Sequence, residues 1–189
     1  RFLILCEGLP EYFYAKSLQE NLPRELQRCV AVDVIHGKDC DPKSLAQIAR
    51  AKVREAKRER NPIDQVWLFF NNNGWPQLKG AFNIIEQDGF KVAYASICLE
   101  YWMILHFENL EISFAKSEDV LKHLQSLWPQ YHKKRSNLYG ELNEQVDKAI
   151  ERAEVLNKNS DESEPVYKRN PYFTIGDLIA FFRSIQKDR

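Results

Sequence analysis

Val66-Trp67-Leu68-Phe69-Phe70-Asn71-Asn72-Asn73 is an apolar run rich in β-formers that stops abruptly at three asparagines and Gly74. A run of this kind, bounded by a turn signal, fits a strand buried on both faces of a parallel sheet. In an open α/β sheet ligands bind beyond the carboxyl ends of the strands, so Asn71 to Asn73 are expected at the rim of any site. Phe2-Leu3-Ile4-Leu5-Cys6 reads the same way and ends in Glu7-Gly8. Two buried strands thus deliver polar side chains to one edge. The second tip offers amides where metal chemistry asks for carboxylates.

Outward from these strands the pattern alternates. A turn over 7–10 leads into a helix expected from about 11 to 27, with Gly8 freeing the turn and Glu11 suited to the positive end of the helix dipole. Residues 30–35 are rich in β-branched side chains and predict a strand, followed by a loop over 36–40. Asp41-Pro42 predicts an N-cap and first helical residue of a helix reaching about residue 60, where Asn61-Pro62 stops it. A helix over 77–87, a C′ glycine at Gly89, a strand over 90–95 and a strongly apolar helix over 99–107 follow. This alternation predicts an α/β fold, a mostly parallel central sheet with helices on both faces. Beyond residue 110 three amphipathic helices are predicted, over 117–127, 137–159 and 174–187, with a polar, acidic, mobile loop over 158–168. We therefore expect a core over 1–110 and a helical C-terminal extension over 111–189, packed on it as one compact unit.

Composition narrows the function classes. Of 189 residues 44% are apolar, ample for a core, and the 27 basic and 27 acidic side chains cancel. With no global field, any contact with nucleic acid must come from local patches. The four cysteines lack paired metal-ligand spacing, and Cys6 and Cys98 read as small core residues. With no signal peptide and no apolar run near 20 residues, a soluble, cytoplasmic chain with no membrane partner is expected. It opens in mid-strand without Met, so a few residues are expected to precede Arg1. The absence of a Walker loop, GxGxxG and HExxH leaves nucleotide hydrolysis and zincin chemistry unsupported.

Several residues carry candidate chemistry. Glu7, at a strand tip before a glycine, suits metal coordination or general acid/base work, or merely a helix cap. Asn71 to Asn73 make either a hydrogen-bonding turn or a plain loop, and neutral amides are poor partners for Mg²⁺. Glu100 is either a carboxylate stabilised at a helix start or an active-site base. His106, six residues on, falls on a different helical face and more often marks a structural histidine than a ligand. Two basic clusters stand out: Arg50, Lys52, Arg54, Lys57, Arg58 and Arg60, and His132-Lys133-Lys134-Arg135 beside Tyr131 and Tyr139. Either could follow a phosphate backbone, and either could be a solvated face.

Together these pieces resemble the RloB-like family, small Toprim-type proteins of bacterial antiphage and abortive-infection operons, with which the AbiLii proteins belong. Leu3-Ile4-Leu5-Cys6-Glu7-Gly8 resembles the family's opening strand. Glu11, Tyr14 and Leu18 match its next helix in part, with the threonine missing and the turn about one residue short. Gly37 and Asp41-Pro42-Lys43-Ser44-Leu45 resemble its glycine loop and following helix start, with a longer loop here. The most specific match is Cys98-Leu99-Glu100-Tyr101-Trp102-Met103-Ile104-Leu105-His106-Phe107, and Asn170-Pro171 with Thr174 resembles the terminal segment.

The resemblance implies metal-dependent phosphodiester cleavage, of tRNA or another RNA sooner than DNA. Glu7 would be the general acid/base, and the metal would be held at the positions of Glu7, Asn71 and Asn73. Glu100 and His106 would support the pocket, and Lys133, Lys134 and Arg135 would hold nucleic acid. It also implies an ABC- or AAA-type ATPase partner in defence. Mg²⁺ or Mn²⁺ is expected for the active form. The chain departs from the family where D-x-D is replaced by Asn71-Asn72-Asn73. It would then be either a nuclease inactivated at its metal site or a catalytically silent binding or regulatory subunit.

Overall fold

The computed structural model describes residues 1–34 and 41–187. The expected end of the second strand at Ile35, the loop over 36–40 and Gly37 lie outside the described residues. Four strands, β1 (Phe2–Cys6), β2 (Val30–Val34), β3 (Gln65–Asn71) and β4 (Lys91–Ser96), run parallel in the order β2-β1-β3-β4. A short strand, β5 (Tyr172–Phe173), pairs antiparallel with β4. The mixed α/β class and the mostly parallel sheet are as the alternating pattern predicts.

β1 and β3 are unbroken apolar runs because both their faces are covered. Side chains alternate across a strand. Leu3, Leu5, Val66, Leu68 and Phe70 therefore enter one core, and Ile4, Cys6, Trp67 and Phe69 the other. The first core is closed by α3 (Pro42–Arg58) through Leu45, Ala46 and Ala49, and by α4 (Leu78–Asp88) through Leu78, Ile84 and Ile85. The second is closed by α1 (Leu9–Glu20) and α5 (Leu99–Phe107), together with helices of the C-terminal part. Local signals set several boundaries. Asp41 Oδ1 accepts from the backbone N–H groups of Lys43 (2.8 Å) and Ser44 (3.2 Å), capping α3 as its sequence predicts. Gly89, at φ 67°, ends α4 in the left-handed conformation that glycine takes without a Cβ penalty.

Two expected helices are interrupted. The helix expected over 11–27 ends at Glu20 and resumes only as α2 (Arg24–Gln27). Pro23 lies between them, lacks an N–H, and its ring would clash with the carbonyl four residues back. The helix expected over 137–159 is α7 (Leu138–Leu142), a 3₁₀ turn over Asn143–Gln145 and α8 (Val146–Asn159). Leu142 and Val146 are both buried across that change of path, so the apolar stripe continues although the helix does not. α6 (Ser117–Leu127) and α9 (Ile175–Lys187) complete the C-terminal part.

β5 is too short to leave a sequence signal, and side chains secure it. Asn157 donates to Phe173 O (2.6 Å) and accepts from Phe173 N (2.8 Å), occupying the strand's free edge. Thr174 Oγ1 accepts from Tyr94 N (3.0 Å) and donates to Val92 O (2.8 Å), continuing the pairing along β4. The stretch read as a loop holds the end of α8 and a 3₁₀ turn over Val166–Lys168. Arg169 ties it down through Glu164 O (2.8 Å) and Glu162 O (3.0 Å). Among the described residues no helix is long and apolar enough to cross a membrane.

Candidate active site at the carboxyl edge of the sheet

The carboxyl ends of β1 and β3, the first turns of α1, α5 and α6, and the chain at Lys133 enclose a cavity of about 180 Å³. Glu7 enters it directly from β1. Its backbone N–H donates to Phe69 O (2.9 Å), so the residue is fixed to the central strand. Both carboxylate oxygens are engaged: Oε2 accepts from the Asn71 N–H (3.0 Å) and Oε1 from the Trp75 indole N–H (2.6 Å). Glu11 turns back from α1 into the same space, where its Oε1 accepts from Asn71 Nδ2 (3.0 Å). Gly8 makes room for that return, since a Cβ there would lie 2.8 Å from Glu11 Oε2. Opposite, Glu100 is 4% exposed and its Oε1 accepts from Tyr131 Oη (3.1 Å). At the rim Asn73 Oδ1 accepts from Ser117 Oγ (2.9 Å). Asn71 Oδ1 is buried and, among the described residues, has no hydrogen-bond partner.

The electrostatics follow from burial with few cations. Burial, then the charge of Glu11, pushes the Glu7 carboxyl up to about 8, against the pull of its two N–H donors. Burial likewise raises Glu11 to about 7, although its own backbone N–H, the Asn71 amide and Lys133 favour its charged form. Raised values this close to neutrality place both protonation states of the pair within reach, as general acid/base chemistry uses.

Of the residues singled out from the sequence, Glu7, Asn71, Asn73, Glu100 and Lys133 line this one cavity. His106 does not. It is 2% exposed within α5, its Nδ1 lies 3.0 Å from Trp102 O, and its Nε2 has no partner among the described residues. Six residues along the helix from Glu100 corresponds to about 9 Å of rise, which carries it out of the pocket. Burial lowers its pKa to about 4, so the ring is neutral. Lys134 is exposed. Arg135 is occupied: its guanidinium takes the Glu141 carboxylate (Nη2–Oε2 2.8 Å) and Gln130 O (3.0 Å) and lies over the Trp128 ring (5.2 Å). It anchors the segment that presents Lys133.

Glu11, Trp75, Ser117 and Tyr131 are members of the site that the sequence reading did not assign. Glu11 carried a signal, since Glu7-Gly8-x-x-Glu11 lets a first-turn carboxylate swing back over a glycine. Trp75 gave none, because only the fold brings its indole to Glu7.

The oxygens here do not fit a hard dication as they stand. Mg²⁺ seeks one or two free carboxylates in near-octahedral geometry. Both Glu7 oxygens already accept N–H donors, a Glu11 oxygen is held by the Asn71 amide, and the side chains at 71 and 73 are neutral. Among the described residues no three His, Cys, Asp or Glu side chains assemble as a metal site. In comparisons with known proteins, the model of the family described as RloB-like protein matches residues 2–181. No curated protein and no solved structure matches the chain.

Proposed function

This chain belongs to the RloB-like family, and from that membership we propose that its cavity is the phosphodiester site of a Toprim-type nuclease, silenced at its metal positions by Asn71 and Asn73. One observation carries the reading: the 3.0 Å contact from Asn71 Nδ2 to Glu11 Oε1. With a carboxylate at position 71, two anionic groups would face each other at that separation, which is tolerable only with a cation or a proton between them. The amide supplies an N–H in the cation's place. The cavity keeps its shape and lacks the charge of two carboxylates.

In this reading Glu7 is the general acid/base and Lys133 the contact to a phosphate at the rim. Lys134 lies beside it, Arg135 braces the segment, and Glu100 with Tyr131 closes the far wall. Restoring both carboxylates would supply donors for Mg²⁺ or Mn²⁺. As it stands the chain binds nucleic acid, RNA such as tRNA in preference to DNA, without cutting it. It would work in antiphage defence beside an ABC- or AAA-type ATPase.

The test is cleavage of total cellular RNA and of plasmid DNA with Mg²⁺ or Mn²⁺. It compares this chain, the Asn71→Asp/Asn73→Asp form and that form carrying Glu7→Gln. Cleavage by the doubly substituted form alone, abolished again by Glu7→Gln, is expected. Equal cleavage by the unaltered chain, or activity that survives Glu7→Gln, would overturn the assignment. Silence of all three, with and without the ATPase encoded alongside, would leave a binding subunit with no nuclease site.

A further inference from the structure

We propose that a single strand of nucleic acid leaves the cavity along the outer face of α1 and runs into a cationic groove between α1 and α2. The inference rests on the reading of the cavity given above. α1 starts at the cavity with Pro10 and Glu11 and leads away from it. Tyr12 and Lys16, four residues apart, share the next stretch of one helical face. At 1.5 Å of rise per residue, Lys16 lies about 8 Å along the axis from Glu11, a span of one or two nucleotides. The Tyr12 ring is half-buried and set edge-on against Phe13 (centroids 5.5 Å apart, 63°), so one part is fixed and the rest open. That is a platform on which a base can stack.

Beyond it lies an open groove of about 410 Å³ lined by Lys16, Gln19, Glu20, Arg24, Gln27 and Arg28. Its walls are built by amides spent on backbone. Gln19 Nε2 donates to Gln27 O (3.0 Å) and to Val30 O, and Gln27 Nε2 donates to Leu22 O (2.8 Å). These bonds hold α2 against α1. Lys16 is steadied by Gln19 Oε1 (2.7 Å). Arg24 and Arg28 are exposed and make no salt bridge among the described residues. Three cations thus face one carboxylate, Glu20, on a chain whose formal net charge is zero. An aromatic platform followed by a cationic groove is what sequence-tolerant single-strand binding uses. An acidic protein segment would use the cations and leave Tyr12 idle.

Fluorescence anisotropy with labelled single-stranded RNAs of about three and about twelve nucleotides, on either side of the smallest single-strand site sizes, tests this. The longer strand should bind at least about tenfold tighter at low salt. Lys16→Glu/Arg24→Glu/Arg28→Glu should abolish that gain, weaken the short strand only through Lys16, and reduce the slope of log K against log salt for the long strand by about 2 for three lost phosphate contacts. Arg24→Gln/Arg28→Gln, which leaves the Lys16–Gln19 contact intact, should give a smaller change in the same direction. Tyr12→Ala should weaken both lengths by about tenfold, since a three-nucleotide strand seated in the cavity already reaches that ring. Lys133→Glu should weaken both lengths, since it probes the cavity. If the short strand binds and the long one gains nothing, or the reversals leave the gain intact, the track is wrong and the cavity reading stands. If neither length binds, both fall. An acidic peptide that displaces the long strand, with Tyr12→Ala silent, would make the groove a protein-docking surface instead.

Discussion

Asn71→Asp offers the sharpest test of how the site is balanced. The substitution is nearly isosteric and replaces the N–H that Asn71 gives Glu11 with an oxygen at about the same 3.0 Å. Two unit charges at that distance repel by about 5 kcal/mol at an effective dielectric of about 20, the value suited to partly buried pairs. Glu11 is 3% exposed, so bulk solvent screens the pair little. The site can escape by holding a proton, and Glu11 already sits at about 7. The penalty should therefore be small near pH 6, where Glu11 is mostly protonated: about 1 kcal/mol for the lost hydrogen bond. It should then grow by about 1.4 kcal/mol for each pH unit above neutrality, towards the ceiling set by the repulsion. A dication should relieve it, by about 1.4 kcal/mol for each tenfold excess over its dissociation constant. Chemical denaturation of both forms at about pH 6 and about pH 9, in EDTA and in Mg²⁺, measures all of this. A penalty that is the same at both pH values and unmoved by Mg²⁺ would refute the idea that the amide at position 71 stands in for a cation.

Two further outcomes test the surrounding fold. Asn157→Ala removes both hydrogen bonds at the free edge of β5 and should cost about 2 kcal/mol, with hydrogen exchange at the Phe173 amide accelerated; unchanged protection there would show that Thr174 alone holds the strand. His106 binds its proton only near pH 4 when folded, against about 6.5 unfolded, so the unfolded state gains protons first as pH falls, and stability is lost between those values by about 3 kcal/mol. Glu7 and Glu11, with raised values, act in the opposite sense and lose stability as pH rises towards 7 to 8, so the difference between unaltered protein and His106→Gln is the quantity to measure, and a flat difference would contradict the burial argument.

What the sequence disclosed and what it hid have separate physical causes. β1, β3 and α5 are buried over almost their whole length, and a dominantly apolar run bounded by Gly or polar residues has few other ways to fold. The tips of β1 and β3 were therefore readable as one edge before any geometry was known. Pro23 was equally readable as a break in the first helix, but the apolar pattern on either side masked it. β5 could not be read at all, because two residues have no periodicity and the strand exists through Asn157 and Thr174. In the site the difficulty was different: single residues had two sufficient explanations. Glu11 suits a helix dipole and also completes a buried carboxylate pair. His106 lies in the same apolar block as Glu100, yet one side chain faces the cavity and the other is enclosed in α5. Arg135 sits in a basic run and spends its charge on Glu141.

The way Asn71 to Asn73 are held shows why the strand tip does not depend on the charge of their side chains. The Asn71 backbone N–H, not its side chain, binds Glu7, and the Asn72 N–H binds Ala95 O (3.2 Å), so the strand tip is fixed whatever side chains it bears. Asn72 Nδ2 reaches Tyr167 O (2.9 Å) and Asn73 Oδ1 accepts from Ser117, each tying the tip to the C-terminal part of the chain. A carboxylate at 73 could still accept from Ser117, but one at 72 could not donate to Tyr167. The asparagine at 72 thus has a structural use of its own, while positions 71 and 73 would accept a carboxylate without a change of frame. The consequence is specific: carboxylates introduced together at 71 and 73 should leave the strand in place, and only the site's electrostatics should respond.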